Sequence, residues 1–198
     1  MKNTVFAIAL AIASMGAAQA QNTLDGARQL RFVAGMGITG GGDKLASVTY
    51  EKLGDYNIKA GGLIAFTGGV DFLVTPQFSL QSTISYHIDQ ANARNGDLKF
   101  QRFPIELLAY FHPSAKFRVG GGVRYVSSPK LKSSGYAEGL DTDFDNTVGG
   151  VVEGEYMVSP NLGIKLRYVN EKYEYAIGRN RKAEADGSHV GLFGNFYF

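Results

Sequence analysis

The run Phe117-Arg118-Val119-Gly120-Gly121-Gly122-Val123-Arg124-Tyr125 decides the fold. Its odd positions carry Phe, Val, Gly, Val and Tyr, and its even positions carry Arg, Gly, Gly and Arg. An apolar face alternating with a charged one at period two is the signature of a strand, not a helix. The same alternation places Phe103, Ile105, Leu107, Ala109 and Phe111 against Pro104, Glu106, Leu108 and Tyr110, and Phe78, Leu80, Ser82, Ile84 and Tyr86 against Ser79, Gln81, Thr83, Ser85 and His87. It returns in Val148, Gly150, Val152, Gly154 and Tyr156 against Thr147, Gly149, Val151, Glu153 and Glu155. Further strands are read at Leu30 to Thr39, Ile58 to Phe72, Leu162 to Tyr168 and Val190 to Phe198, making eight.

Phe78–Tyr86, Phe103–Phe111 and Phe117–Tyr125 each begin and end on an aromatic residue. A strand tilted by about 45° crosses the bilayer hydrocarbon in roughly 9 to 11 residues, and aromatic girdles mark both interfaces of membrane barrels. A soluble sandwich also alternates, but it has no reason to hold aromatics at that spacing. The connections alternate too. Thr75-Pro76, His112-Pro113-Ser114 and Ser159-Pro160-Asn161 are short turns, whereas 40–57, 89–98, 127–145 and 174–187 are long, polar and glycine-bearing. Short turns at one end and long loops at the other are the asymmetry of outer-membrane barrels, with both termini on the periplasmic side. Pairing of Ala46 to Tyr50 within the first loop would make a ten-stranded variant.

Composition narrows the compartment. Among 198 residues there are 26 glycines, roughly twice the ordinary share of about 7%, and charged residues make up only 19%. The absence of cysteine excludes disulfide scaffolds and thiolate chemistry. Twenty basic against 18 acidic residues give a net charge of +2, too even for nucleic-acid binding by bulk charge. Lys2, the apolar stretch Val5 to Met15 and Ala18-Gln19-Ala20 read as a secretory signal over residues 1–20, cleaved before Gln21. The apolar stretch falls short of the roughly 20 residues of a spanning helix. The domain is then 21–198.

The chain closes with Val190, Leu192, Gly194, Phe196 and Phe198 on one face. A terminal Phe after alternating apolar residues resembles the signal by which bacterial outer-membrane proteins are recognised for insertion. With its short-turn prolines and eight strands, the whole mature chain resembles the small eight-stranded outer-membrane barrels: outer membrane protein X, the OmpA transmembrane domain and opacity-type proteins. The resemblance implies an all-β, eight-stranded antiparallel up-and-down transmembrane barrel in the outer membrane of a Gram-negative cell. It also implies a monomer that meets outer-membrane lipid and lipopolysaccharide and is handled by the barrel-insertion machinery through Phe198. The group includes adhesins, resistance factors and small channels.

If the apolar faces meet lipid, the other faces line the lumen. That set holds Arg31, Lys59, Asp71, His87, Arg102, Glu106, Arg118, Arg124, Glu153, Glu155, Lys165, Arg167 and His189. Centring the last short turn on Pro160 sets Glu155 opposite Lys165 and Glu153 opposite Arg167, a favourable cross-strand arrangement of unlike charges. Eight strands leave an interior just wide enough for side chains. The expectation is a lumen plugged by ion pairs and loops that act as a surface platform. The alternative is a narrow pore gated by rearrangement of those pairs. As paired carboxylates, Glu153 and Glu155 also resemble a hydrolase site, but each faces a cation that holds it ionised.

Other constellations carry less. Gly35-Met36-Gly37-Ile38-Thr39-Gly40 has dinucleotide-loop spacing but leads into a polar loop instead of opening a helix. Asp141, Asp143 and Asp145 have calcium-loop spacing, with Asn146 where glycine is needed and Val152 where glutamate belongs. No cofactor or metal is expected. His87 near Ser85 and Asp89 suggests a lipid-modifying enzyme, yet it faces the lumen while such a site must open to the bilayer. Arg179, Arg181 and Lys182 in the last loop are candidate contacts for lipopolysaccharide phosphates or an acidic host ligand. Tyr50, Tyr56 and Tyr136 offer loop aromatics.

Overall fold

A computed structural model describes residues 29–50, 54–93, 96–133, 141–176 and 181–198. Its strands are β1 (Leu30–Gly41), β2 (Lys44–Tyr50), β3 (Gly54–Lys59), β4 (Leu63–Thr75), β5 (Phe78–Ala93), β6 (Gly96–Ser114), β7 (Phe117–Ser133), β8 (Thr142–Asp143), β9 (Thr147–Ser159), β10 (Leu162–Asn170), β11 (Lys172–Ala176), β12 (Lys182–Asp186) and β13 (His189–Tyr197). Eight of them form a closed antiparallel circuit in the order β1, β4, β5, β6, β7, β9, β10 and β13, with β13 pairing back onto β1. Closure satisfies the backbone within the wall and leaves no sheet edge. The first and last wall strands meet, since Phe32 and Phe198 exchange backbone hydrogen bonds at 2.8 and 3.0 Å.

The barrel is eight-stranded and not ten-stranded. Lys44–Tyr50 does pair, with Gly54–Lys59, but as a separate two-stranded hairpin in the first loop. The expected strand from Ile58 to Phe72 is broken at Ala60–Gly62, so Ile58 and Lys59 belong to that hairpin and Lys59 is exposed instead of lining the lumen. The segments 89–98 and 127–145 are less loop than expected. β5 runs to Ala93, β6 starts at Gly96 and β7 runs to Ser133.

Alternation continues there with its polarity reversed. Within the bilayer band, Met36, Ile84, Leu107, Val123, Val152, Leu166 and Leu192 face outward and are half-exposed or more, while Glu106, Arg124, Glu153, Lys165 and Arg167 beside four of them turn inward and are buried. Beyond Phe103 and Tyr125 the inward residues are the buried Phe100 and Leu131, and the outward ones are Lys99, Gln101, Lys130 and Lys132. The outer solvent changes from lipid to water, so the apolar face turns inside.

Paired rings mark the girdles. Phe78 and Phe111 lie 5.2 Å apart at one end and Tyr86 and Phe103 5.2 Å apart at the other. One proline, Pro113, is placed differently from its sequence reading, and Pro104 lies inside its strand as expected. The second short turn is Ala115-Lys116, and Pro113 closes β6 where the register with β7 shifts. Pro104 sits inside β6, and the β5–β6 ladder steps from Ile84↔Ile105 to His87↔Arg102, passing over the residue that has no N–H to give.

Candidate functional site: the lumen and its outer cap

Inward positions of all eight wall strands carry polar side chains into one buried network. Nearest the short-turn end, the Arg118 guanidinium on β7 donates to Glu155 at 2.7 Å, Asp71 at 3.0 Å and Gln81 at 2.9 Å, and also to the Tyr197 hydroxyl. Arg31 reaches the other Asp71 oxygen at 2.5 Å, and Asn195 and Tyr197 donate to Glu155 at 2.8 Å. Arg118 also lies 4.0 Å from the centre of the Tyr110 ring. A fork with five donors suits a site with several acceptors, where a lysine would serve only as a point charge.

The Tyr110 hydroxyl donates to Glu153 and so links this tier to the next. Glu153 also holds Lys165 at 2.7 Å and lies 3.4 Å from the Arg167 Nε. Glu106 binds Arg124 and Arg167, each at 2.7 Å, and accepts from Thr83 at 3.2 Å. Toward the long-loop end Arg124 donates to Glu171 at 2.8 Å, and Tyr173 donates to the other Glu171 oxygen at 2.6 Å. Arg102 donates to Tyr173 and to the Gly62 carbonyl, both at 3.3 Å, and its Nη2 lies 2.8 Å from His87. His87 Nε2 is 2.7 Å from Thr39 Oγ1, and His189 Nδ1 is 2.7 Å from the Gly187 carbonyl.

An apolar cap lies over this network at the long-loop end. Ile58, Ala60, Phe100, Val126, Leu131, Phe144, Tyr173 and Ala185 form one buried cluster, with Leu45 and Tyr175 against it. Phe144 packs edge-on against Phe100, Tyr173 and Tyr175 with ring centroids 5.3–6.0 Å apart. The β2–β3 and β11–β12 hairpins and the segment around β8 supply these residues together with Phe100 of β6 and Val126 and Leu131 of β7, so the loops fold inward over the mouth. Burial lifts the Tyr173 phenol above its ordinary range, which keeps it a neutral donor to Glu171. The short-turn end is more open. A cavity of about 500 Å³ there, lined by Arg31, His112, Lys116 and Arg118 among others, stops at the Arg118 cluster.

The register has Glu155 opposite Lys165 and Glu153 opposite Arg167. The Glu153–Arg167 pair is made, at 3.4 Å, while the other pair is exchanged. Lys165 reaches diagonally to Glu153, while Arg118 takes Glu155 from β7. Arg31 is only partly buried, at 28% side-chain exposure. Glu171, Tyr110, Tyr173, Tyr197 and Asn195 belong to the network and were not in the expected set. The tyrosines and Asn195 had signalled themselves only by falling on inward positions of β6, β11 and β13.

Of the loop contacts, Arg181 is exposed and Arg179 lies outside the described residues, as does Tyr136. Lys182 is held between Asp145 at 2.8 Å and Glu174 at 3.0 Å, which raises its pKa and occupies its charge. The three loop aspartates diverge. Asp141 accepts from Ser133, Asp143 faces Lys130 and Asp145 faces Lys182, and among the described residues no cluster has the makings of a metal site. Gly35 to Gly40 lies within β1 and opens no helix.

The fold has solved relatives. Ail, the attachment invasion locus protein of Yersinia pestis, aligns over 85% of this chain and 96% of its own with a TM-score of 0.55 at 10% identity. OprG, an outer membrane protein of Pseudomonas aeruginosa, aligns over 86% and 96% with a TM-score of 0.50 at 14% identity. No curated protein sequence matches the chain. A lipid-facing apolar band, a polar lumen and eight closed strands agree with the family matched over residues 6–196, and the chain belongs to that family, the outer membrane protein beta-barrel domain.

Proposed function

We propose that this protein is a surface platform: a closed barrel that anchors its long-loop end outside the cell for binding and for envelope integrity, and that conducts no solute. The observation that carries this reading is the double closure of the interior, by a charge network running from Arg31 to Arg102 and by the Phe100–Phe144–Tyr173 cap above it. Residues 1–20 act as the export signal, and Phe198 is read by the insertion machinery.

Ail has been solved in complex with the heparin analogue sucrose octasulfate, and aligns with this chain at a TM-score of 0.54 and 11% identity. We extend polyanion binding to the loops of this chain, where Lys44, Lys59 and Arg181 are exposed. The role is binding and not catalysis, because His87 is engaged on both sides by Thr39 and Arg102 inside the wall.

The test replaces residues 174–187 with a short turn in the full chain. The variant is expected to keep the heat-dependent gel shift of a folded barrel, while cells carrying it lose adhesion to a heparin-coated surface. Adhesion equal to that of the parent chain contradicts the platform reading.

A further inference from the structure

The loop platform leaves the short-turn end without a role, and that end holds a pocket. Its volume of about 500 Å³ falls within the range of small-molecule sites, roughly 300–1,000 Å³, which combine apolar walls with a few convergent polar groups. Phe117, Met157 and Pro160 supply apolar wall here, and Arg31, His112 and Lys116 supply the polar groups. The pocket is blind. Arg118 forms its floor and is already committed to Glu155, Asp71, Gln81 and Tyr197.

Two cations at the rim keep donors to spare. Arg31 gives one N–H to Asp71 at 2.5 Å, and its side chain is the partly exposed member of that pair. A guanidinium has five donors, so most remain for a ligand. Lys116 lies in the exposed Ala115-Lys116 turn and, among the described residues, has no carboxylate within ion-pair distance. Asp71 and Glu155 match Arg31 and Arg118 in number, so Lys116 leaves the pocket positive.

His112 adds the opposite chemistry. The single Ser79 hydroxyl proton goes to Asp71 at 3.2 Å, so Ser79 accepts from His112 Nε2 at 2.9 Å. In the neutral ring Nδ1 is then an acceptor, and it has no partner among the described residues. These features select one ligand. The cations call for a carboxylate, which the Arg31 fork can take bidentately. The His112 acceptor calls for an N–H close to that carboxylate, and the apolar wall calls for an uncharged side chain. A peptide's free C-terminus carries all three on one residue when that residue is apolar.

We propose that this pocket captures the C-terminal carboxylate of a periplasmic peptide or protein whose last residue is apolar. It lies at the end opposite the loops assigned to polyanion binding and does not depend on them. The short turns of such barrels face the periplasm, which makes that compartment the source of the peptide.

The experiment follows the fluorescence anisotropy of Ala-Ala-Phe, carrying an uncharged dye on its amino end, with the folded protein in detergent. Competitors are the unlabelled peptide, its C-terminal amide, phenylpropionate and inorganic phosphate. The free acid is expected to compete at least roughly tenfold better than the amide, which cannot make the charge-assisted hydrogen bonds. Phenylpropionate keeps the ring and the carboxylate but has no N–H, and should be about fivefold weaker than the free acid. Arg31→Gln and Lys116→Gln should each lose about tenfold, whereas Lys172→Gln at the other end leaves binding unchanged. Lys116 sits in an exposed turn, so its variant tests the pocket even where Arg31→Gln fails to fold, and the gel shift checks both. Equal competition by acid and amide overturns the proposal. So does binding by Lys116→Gln equal to that of the parent chain, or an equal loss in Lys172→Gln. Phenylpropionate as strong as the free acid, or displacement by equimolar phosphate, would make this a site for anions at large and overturns the peptide assignment.

Discussion

The Lys165 ammonium binds Glu153 at 2.7 Å although Glu155 is the residue directly across the β9–β10 ladder. The exchange follows from Arg118, whose fork occupies Glu155 from the other side and leaves Lys165 to the carboxylate one step along β9. A double-mutant cycle reads this directly. Coupling between Lys165→Met and Glu153→Gln should be about 1–3 kcal/mol and should exceed that between Lys165→Met and Glu155→Gln. Urea titrations scored by the gel shift supply the free energies, and the reverse order contradicts the assignment.

Arg118 holds the largest set of partners in the lumen. Removing it leaves Asp71 and Glu155 buried with fewer cations, so Arg118→Met is expected to cost about 3–5 kcal/mol. Arg118→Lys keeps the charge but loses the fork and should fall between that variant and the parent in urea midpoint. A lysine variant no better than the methionine variant argues against the fork geometry.

Glycines in the wall separate by the direction they face. A Cβ on Gly120 would come within 2.5 Å of the Tyr110 ring, which cannot swing away easily because Arg118 stacks on it and Glu153 binds its hydroxyl. Gly194 faces open space. Gly120→Ala should cost about 1–3 kcal/mol, while Gly194→Ala stays within about 0.5 kcal/mol of the parent. Equal urea midpoints for the two would contradict the packing described for Tyr110.

The cap is local. Phe144→Ala removes the ring that touches Phe100, Tyr173 and Tyr175, and the loss should loosen the two outer hairpins without lowering the global melting of the wall. Hydrogen exchange should show faster exchange of β11 and β12 amides, with β9, β10 and β13 unchanged.

Alkali should loosen the same region. Because the Tyr173 pKa is raised in the folded protein, its stabilising effect is complete below the phenol's ordinary pKa of about 10 and is lost as pH rises above that value. Amide protection of β11 and β12 should therefore fall above about pH 10 in the parent chain and fall less in Tyr173→Phe. Identical pH profiles would remove Tyr173 from the account.

Much of the wall was legible because lipid enforces one rule on the outward positions from Phe78 to Tyr86, Ser82 excepted, and from Phe117 to Tyr125. The rule lapses at the outer girdle. Past Phe103 and Tyr125 the outward residues are Lys99 and Lys132, and a reader expecting apolar residues there sees loop. The register of Glu153 and Arg167 followed from one turn at Pro160, a local relationship. Arg118 taking Glu155, Glu171 joining Arg124 and Tyr173 closing the mouth depend on strands distant in sequence meeting across a narrow lumen. Side-chain period alone does not encode those meetings.

The central claim is that the interior is shut, and single-channel recording of the folded protein in a planar bilayer tests it most directly. The parent chain should give a silent membrane, and so should Glu153→Gln in whatever fraction remains folded. Discrete openings in the parent, altered in conductance or selectivity by Glu153→Gln, would contradict the closed platform and make the lumen charges a gate.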